Sequence, residues 1–204
     1  MIMKKNPNHE FPAPERSTSP ADRSRRSLLQ AAAGLVGGLL LPSFAKLKAG
    51  DDLWTTFQTP AAFLTEAFGS TPPPPKVLVL DAASQSKLSV AFGRAYPQAQ
   101  LRYWRANGRT AWILDDLGKV GYQLTTSGFV VKDQAIDFAR VLIYRESRGE
   151  QIAEPSFLKK IAGAKFVGPG LDRSVDNISG ATLSVKMMER MAAAALVLDS
   201  LAPA

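Results

Sequence analysis

Seven consecutive residues, Asp176-Asn177-Ile178-Ser179-Gly180-Ala181-Thr182, hold the best placed chemistry in the chain. The run from Gly180 to Leu201 is rich in Ala, Met and Leu and predicts a long helix, with Ser179 as its N-cap. Gly180 and Ala181 leave the first turn sterically open. The unbonded amides and dipole of a helix start favour an anion, and Thr182 would set a hydroxyl beside them. The combination suits a phosphate-bearing ligand with a large ring system. On residue types alone, a capped helix start with small residues is the better account of the segment.

Other redox and catalytic chemistry is narrowed by what the chain lacks. There is no cysteine, and the one histidine is His9. Disulfides, iron–sulfur clusters and thiolate zinc sites are thereby excluded, and a chain shortened past His9 has no haem or Ser-His-Asp option either. Redox work would fall to an organic cofactor, and no metal site is expected. The net charge of +7 is dispersed: residues 1–45 hold six Lys/Arg against three Asp/Glu, the rest nineteen against fifteen. No arginine run or aromatic row points to nucleic acid. A modest positive surplus suits an anionic ligand or partner. The hydrophobic fraction of 46% predicts a real core.

Residues 1–45 read as an address. Ser24-Arg25-Arg26-Ser27-Leu28-Leu29-Gln30 precedes an apolar run from Ala31 to Leu41, then the small-residue site Ser43-Phe44-Ala45. That order resembles a twin-arginine signal peptide, which implies export by the twin-arginine machinery, cleavage near Ala45 and a periplasmic location, with membrane association still open. An uncleaved anchor is the other reading, but the apolar run is short of the ~20 residues a spanning helix needs.

The remaining elements must present the 176–182 segment. Residues 46–75 read as an opening segment: a short helix from Ala61 to Phe68 capped at Thr59-Pro60, then Pro72 to Pro75 as a stiff spacer or a surface crossing. Val77 to Leu80 suits a buried strand, and Leu88 to Phe92 is open between helix and loop. Gln100–Arg105 and Thr110–Leu114 form a hairpin across Asn107-Gly108. A second pair is expected from Gly121–Val131 and Ala135–Arg145, turning at Lys132-Asp133. A helix over Phe157–Ile161 and a loop at Val167–Gly170 follow. The fold expected is α+β: an antiparallel sheet of hairpins with flanking helices and a long C-terminal helix.

Asp-x-x-Ser-Gly-Ala-Thr before an Ala/Met-rich helix resembles the flavinylation motif of FMN-binding domains. These are similar to the C subunit of the sodium-pumping NADH:quinone reductase and the G subunit of the Rnf complex. In that family a flavin transferase cleaves FAD and leaves FMN as a phosphoester on the last residue of the motif. The resemblance places covalent FMN on Thr182, with Asp176, Ser179, Gly180 and Ala181 as matching positions. The stretch Ile136 to Glu150 followed by Phe157 is similar to the family's strand and Glu-containing loop. Glu146 and Gly149 match there as cofactor contacts, while Ser147 and Arg148 depart. The likeness covers roughly 76–200, within a domain of 76–204, and implies an electron-transfer module between a membrane redox partner and a periplasmic acceptor. An export signal stands where the larger relatives carry a membrane helix, which favours a soluble carrier.

Two other functions compete: a periplasmic flavin-dependent reductase of a small substrate, with Glu146 and tyrosines as its acid/base candidates, and a non-redox binding module. Tyr103, Trp104 and Trp112 are expected in the core ahead of any ring contact. Met187, Met188 and Met191 are expected as helix packing.

Overall fold

The computed structural model describes residues 54–119 and 123–203. The proposed signal segment 1–45, the rest of the chain to Leu53 and the expected strand start at Gly121 lie outside them.

Helix α1 (Pro60–Phe68) starts as read: Thr59 Oγ1 accepts the Ala62 amide at 3.2 Å, and Pro60 occupies the first helical position. The four prolines then lead to β2 (Lys76–Val79). The open segment resolves as α2 (Ala82–Phe92), capped by Asp81, whose Oδ1 accepts the Ser84 amide at 2.7 Å. That bond holds the Asp81 carboxyl below its usual range.

The Asn107-Gly108 hairpin forms from β3 (Gln100–Ala106) and β4 (Arg109–Asp116), with both turn residues left-handed at φ 53° and 71°. The second hairpin joins β5 (Thr125–Lys132) to β6 (Ala135–Tyr144). Its turn is Asp133-Gln134, at φ 52° and 58°, one residue later than expected, because Lys132 still pairs with Ala135. With β1 (Thr55–Thr56) these strands make one antiparallel sheet in the order β1-β6-β5-β4-β3-β2.

The β2 expectation needs correction. It is an edge strand, and Val77 and Val79 are exposed because α1 does not extend over that end of the sheet. Val167 to Gly170 is likewise more ordered than a loop. Strands β7 (Phe166–Val167) and β8 (Gly170–Leu171) form a small ladder of their own around a cis Gly168–Pro169 bond.

Helices cover both faces of the sheet. On one, α4 (Thr182–Leu201) crosses β4, β5 and β6 and packs on α2, with α3 (Pro155–Ile161) beside it on β6. Trp112, Leu114, Phe129, Met187, Met188 and Met191 fill that layer. On the other face α1 buries Phe63 against Ala111, Val130 and Leu142. The Phe63 ring lies so close over Gly128 that a Cβ there would come within 2.6 Å of it. Covered from both sides, β5 is buried from Thr125 to Val131, so its apolar residues do not alternate with polar ones. The architecture is α+β.

Candidate functional site

The first helical residue of α4 is Thr182, and its N-cap position is Ala181, not Ser179. The two-residue delay has a backbone cause. Gly180 is left-handed at φ 80°, and the Ala181 amide closes a turn on the Ile178 carbonyl at 2.8 Å. The chain becomes helical only after that turn. Ser179 and Gly180 are exposed on it, and a Cβ at Gly180 would meet nothing within 4 Å.

Thr182 therefore stands at the tip of the helix with its side chain exposed. Its Oγ1 accepts a hydrogen bond from Asn177 Nδ2 at 2.7 Å. Ala181 provides no side-chain cap, and the amides of Thr182, Leu183 and Ser184 have no protein acceptor among the described residues. Their partial positive charge is gathered at the helix start that carries the Thr182 hydroxyl. Leu183, half exposed, adds apolar surface at the same tip.

The loop carrying the motif is held at several points. The Val175 amide donates to Glu189 Oε1 on α4 at 3.1 Å, and the Val175 side chain is buried. Asp176 pairs with Lys160 of α3 at 3.0 Å; both are well exposed, so the pair orients the loop more than it stabilises it. Asp172 sits below the ordinary carboxylate range, chiefly because Arg173 donates to it and secondly through the Lys165 amide.

The second region that resembled the family meets the first beneath the helix tip. Gly149, at φ 98°, lies so close to α4 that a Cβ there would be 2.3 Å from Ser184 Oγ and 2.8 Å from the Tyr144 hydroxyl. Any larger residue would be both strained and overlapped. Tyr144 donates to the Arg148 carbonyl, which leaves Ser184 Oγ, 3.3 Å away, to donate to the tyrosine oxygen. Burial lifts the Tyr144 hydroxyl above the usual phenol range; the Ser184 bond opposes this and Glu146 and Glu150 add to it.

Glu146 is turned differently. Its Oε1 accepts the Gly118 amide at 2.7 Å, joining the loop after β6 to the loop after β4. Asp116, fully buried, fixes the root of that second loop between Arg94 and Arg190. Arg190 donates to Asp116 Oδ2 and to the Leu117 carbonyl, both at 2.9 Å. Glu146 and Gly149 are thus supports of the helix tip and its neighbouring loop. Arg148 contributes its carbonyl, and its side chain is exposed.

The aromatic candidates are core residues. Tyr103 and Trp112 are buried and stacked, with ring centroids 5.1 Å apart, and half-buried Trp104 packs on the α1 side. Two concavities lie elsewhere. One of about 550 Å³ runs between the two hairpin turns and the end of α4, and one of about 990 Å³ lies along the outer edge of β6 near Phe57, Arg140 and Leu158. Neither includes residues 176–182. Among the described residues, no helix is long and apolar enough to cross a membrane.

Ser184, Gly118, Asp116 and Arg190 were not singled out from the sequence, Asn177 entered only as a variable position of the motif, and Tyr144 only as one of the tyrosines. Arg190 carried no signal of its own, since it follows Glu189 in a helix turn that also holds Lys186. No protein-family model, curated protein or solved structure matches the chain.

Proposed function

We propose that the chain is an exported flavoprotein carrying FMN as a phosphoester on Thr182, and that it transfers electrons between a membrane redox partner and a periplasmic acceptor. One observation carries the reading: an exposed Thr182 hydroxyl at the uncapped start of a twenty-residue helix, inside Asp-x-x-Ser-Gly-Ala-Thr. The residues present fit the group. Three amides without protein acceptors and the helix dipole suit a phosphate on that oxygen. Open space over Gly180 admits a bulky reagent to the hydroxyl. Leu183 offers apolar surface on which part of a flavin ring can rest.

A flavin bound there supplies reversible one- and two-electron transfer. The chain's own residues anchor the phosphate, hold the hydroxyl in place through Asn177, and keep the helix tip rigid through Gly149, Ser184 and Tyr144. An ester bond keeps a cofactor that could not be replaced once lost outside the cytoplasm.

The test is co-expression with a flavin transferase followed by a denaturing gel and an intact mass. The expected result is a fluorescent band and a mass increase of one FMN, both lost in Thr182→Val. A dark wild-type band of unmodified mass defeats the proposal.

A further inference from the structure

We infer that Asn177 is a positioning residue that holds the Thr182 hydroxyl ready for phosphoryl transfer; the inference rests on the flavinylation reading above. Asn177 occupies a variable position of the motif, and nothing in its residue type required a role. The structure gives it a specific contact. The left-handed turn at Gly180 and the Ala181–Ile178 hydrogen bond fold the chain back, so the Asn177 side chain meets a residue five positions later.

Its contact is not that of a helix cap. A capping Asn accepts from backbone amides through Oδ1. Here Nδ2 donates 2.7 Å to a side-chain oxygen, and no helix amide is satisfied by it. Both partners are exposed, so the bond removes no buried polar group and is of little use to the fold. Its effect is on Oγ1: one lone pair is engaged and the side-chain rotamer is held, while the hydroxyl proton and the second lone pair remain free.

That suits a nucleophile. In the transfer, Oγ1 attacks the phosphorus on the FMN half of FAD. The Oγ1–P bond forms, the P–O bond to AMP breaks, and AMP leaves with the bonding pair. The hydroxyl proton passes to the transferase or solvent and finally to the AMP phosphate; nothing is oxidised or reduced. The Asn177 N–H stabilises the negative charge that builds on Oγ1 as the proton departs. The amides of Thr182, Leu183 and Ser184, without protein acceptors at the same helix start, favour the phosphate.

The experiment uses the full chain prepared without flavin, a purified flavin transferase and FAD, with intact mass and in-gel fluorescence followed over time at several acceptor concentrations. Asn177→Ala is expected to lower kcat for modification about tenfold, the effect of one hydrogen bond made to a reacting atom. KM for the acceptor protein should stay within about twofold and the thermal midpoint should not move. Asn177→Asp keeps the shape but replaces the donor by an acceptor, and is expected to be no faster than Asn177→Ala. Unchanged kcat in either variant overturns the inference. So does a raised KM with kcat retained, which would make Asn177 a docking contact for the transferase. A wild-type chain that gains no FMN defeats the flavoprotein reading itself; a modified wild type with an equally fast Asn177→Ala defeats only the role of Asn177.

Discussion

The two ends of α4 are finished in opposite ways. At the C-terminal end, Arg105 reaches from β3 to bind the carbonyls of Asp199 and Ala202 at 3.3 Å and the Asp199 carboxylate at 2.8 Å, and it also donates to the Pro203 carbonyl. Gln134, from the β5–β6 turn, reaches the same carboxylate at 3.2 Å. A cation at a helix C-terminus also complements the dipole. At the N-terminal end nothing comparable closes the first turn: it is supported from beneath by Gly149, Ser184 and Tyr144, yet its first amides have no protein acceptor among the described residues and Thr182 is exposed. The helix is therefore fastened to the sheet where its carbonyls end and left chemically open where its amides begin. That polarity separates stability from reactivity, and substitutions at the two ends should separate them too.

The largest expected effect is at the open end and concerns chemistry alone. Thr182→Val should abolish flavin attachment, yet change the unfolding free energy by no more than about 0.5 kcal/mol, as for other exposed sites. Intact mass and chemical denaturation together check both halves. A large loss of stability would show that the hydroxyl also serves the fold, and the contrast between the ends would collapse.

Next in size is the support beneath that end. Gly149→Ala adds a Cβ 2.3 Å from Ser184 Oγ on a backbone at φ 98°, so strain and overlap combine. A destabilisation of about 3 kcal/mol is expected in urea unfolding. Adding Ser184→Ala should restore part of it by removing the overlapping oxygen; no recovery would show that the backbone conformation carries the whole cost. Arg105→Ala should cost about 2 kcal/mol, since it removes charge-assisted bonds from a mostly buried guanidinium and leaves three carbonyls open. Flavin attachment at the far end should continue at its normal rate. A slowed attachment would mean that fastening the C-terminal end also sets the geometry of the tip.

What could be read from the sequence was local. Asn107-Gly108 specifies a tight turn within two residues, and Thr59-Pro60 specifies a helix start within four, so both elements lie where they were expected. The start of α4 was displaced by two residues because a glycine adopts either sign of φ, and residue type does not reveal which. The undecided Leu88–Phe92 stretch became the end of α2, whose cap, Asp81, lies seven residues before the residues that raised the question. The site's supports are long-range. Tyr144 and Ser184 are 40 residues apart, Asp116 and Arg190 are 74 apart, and Gly118 and Glu146 are 28 apart. No period or spacing encodes such pairs, which exist only once the sheet has placed β4, β6 and α4 side by side. Edge strand β2 was misread for a related reason: four apolar residues show a strand, not how many faces the rest of the molecule covers.

The smallest effect should appear at alkaline pH and at the open end first. Tyr144 is buried under the tip of α4, and its hydroxyl titrates above the ordinary tyrosine value of 10.0. The neutral form is therefore favoured by folding. Its contribution to stability is fully present below 10.0 and is lost as pH rises from there through the higher folded value, because the unfolded chain ionises first. Ionisation would also remove the proton given to the Arg148 carbonyl and so weaken the support under Ser184. Tyr96, raised chiefly by burial and then by Asp115 and Asp116, adds to the same alkaline loss from another part of the core. Thermal midpoints from about pH 9 to about pH 11 should fall in the wild type and fall less steeply in Tyr144→Phe, with the Tyr96 contribution still present. Amide exchange over that range should quicken in the first turn of α4 before the last, which Arg105 ties to β3. Equal acceleration at both ends would indicate that the helix responds as a single unit and that its two terminations differ in chemistry without differing in local stability.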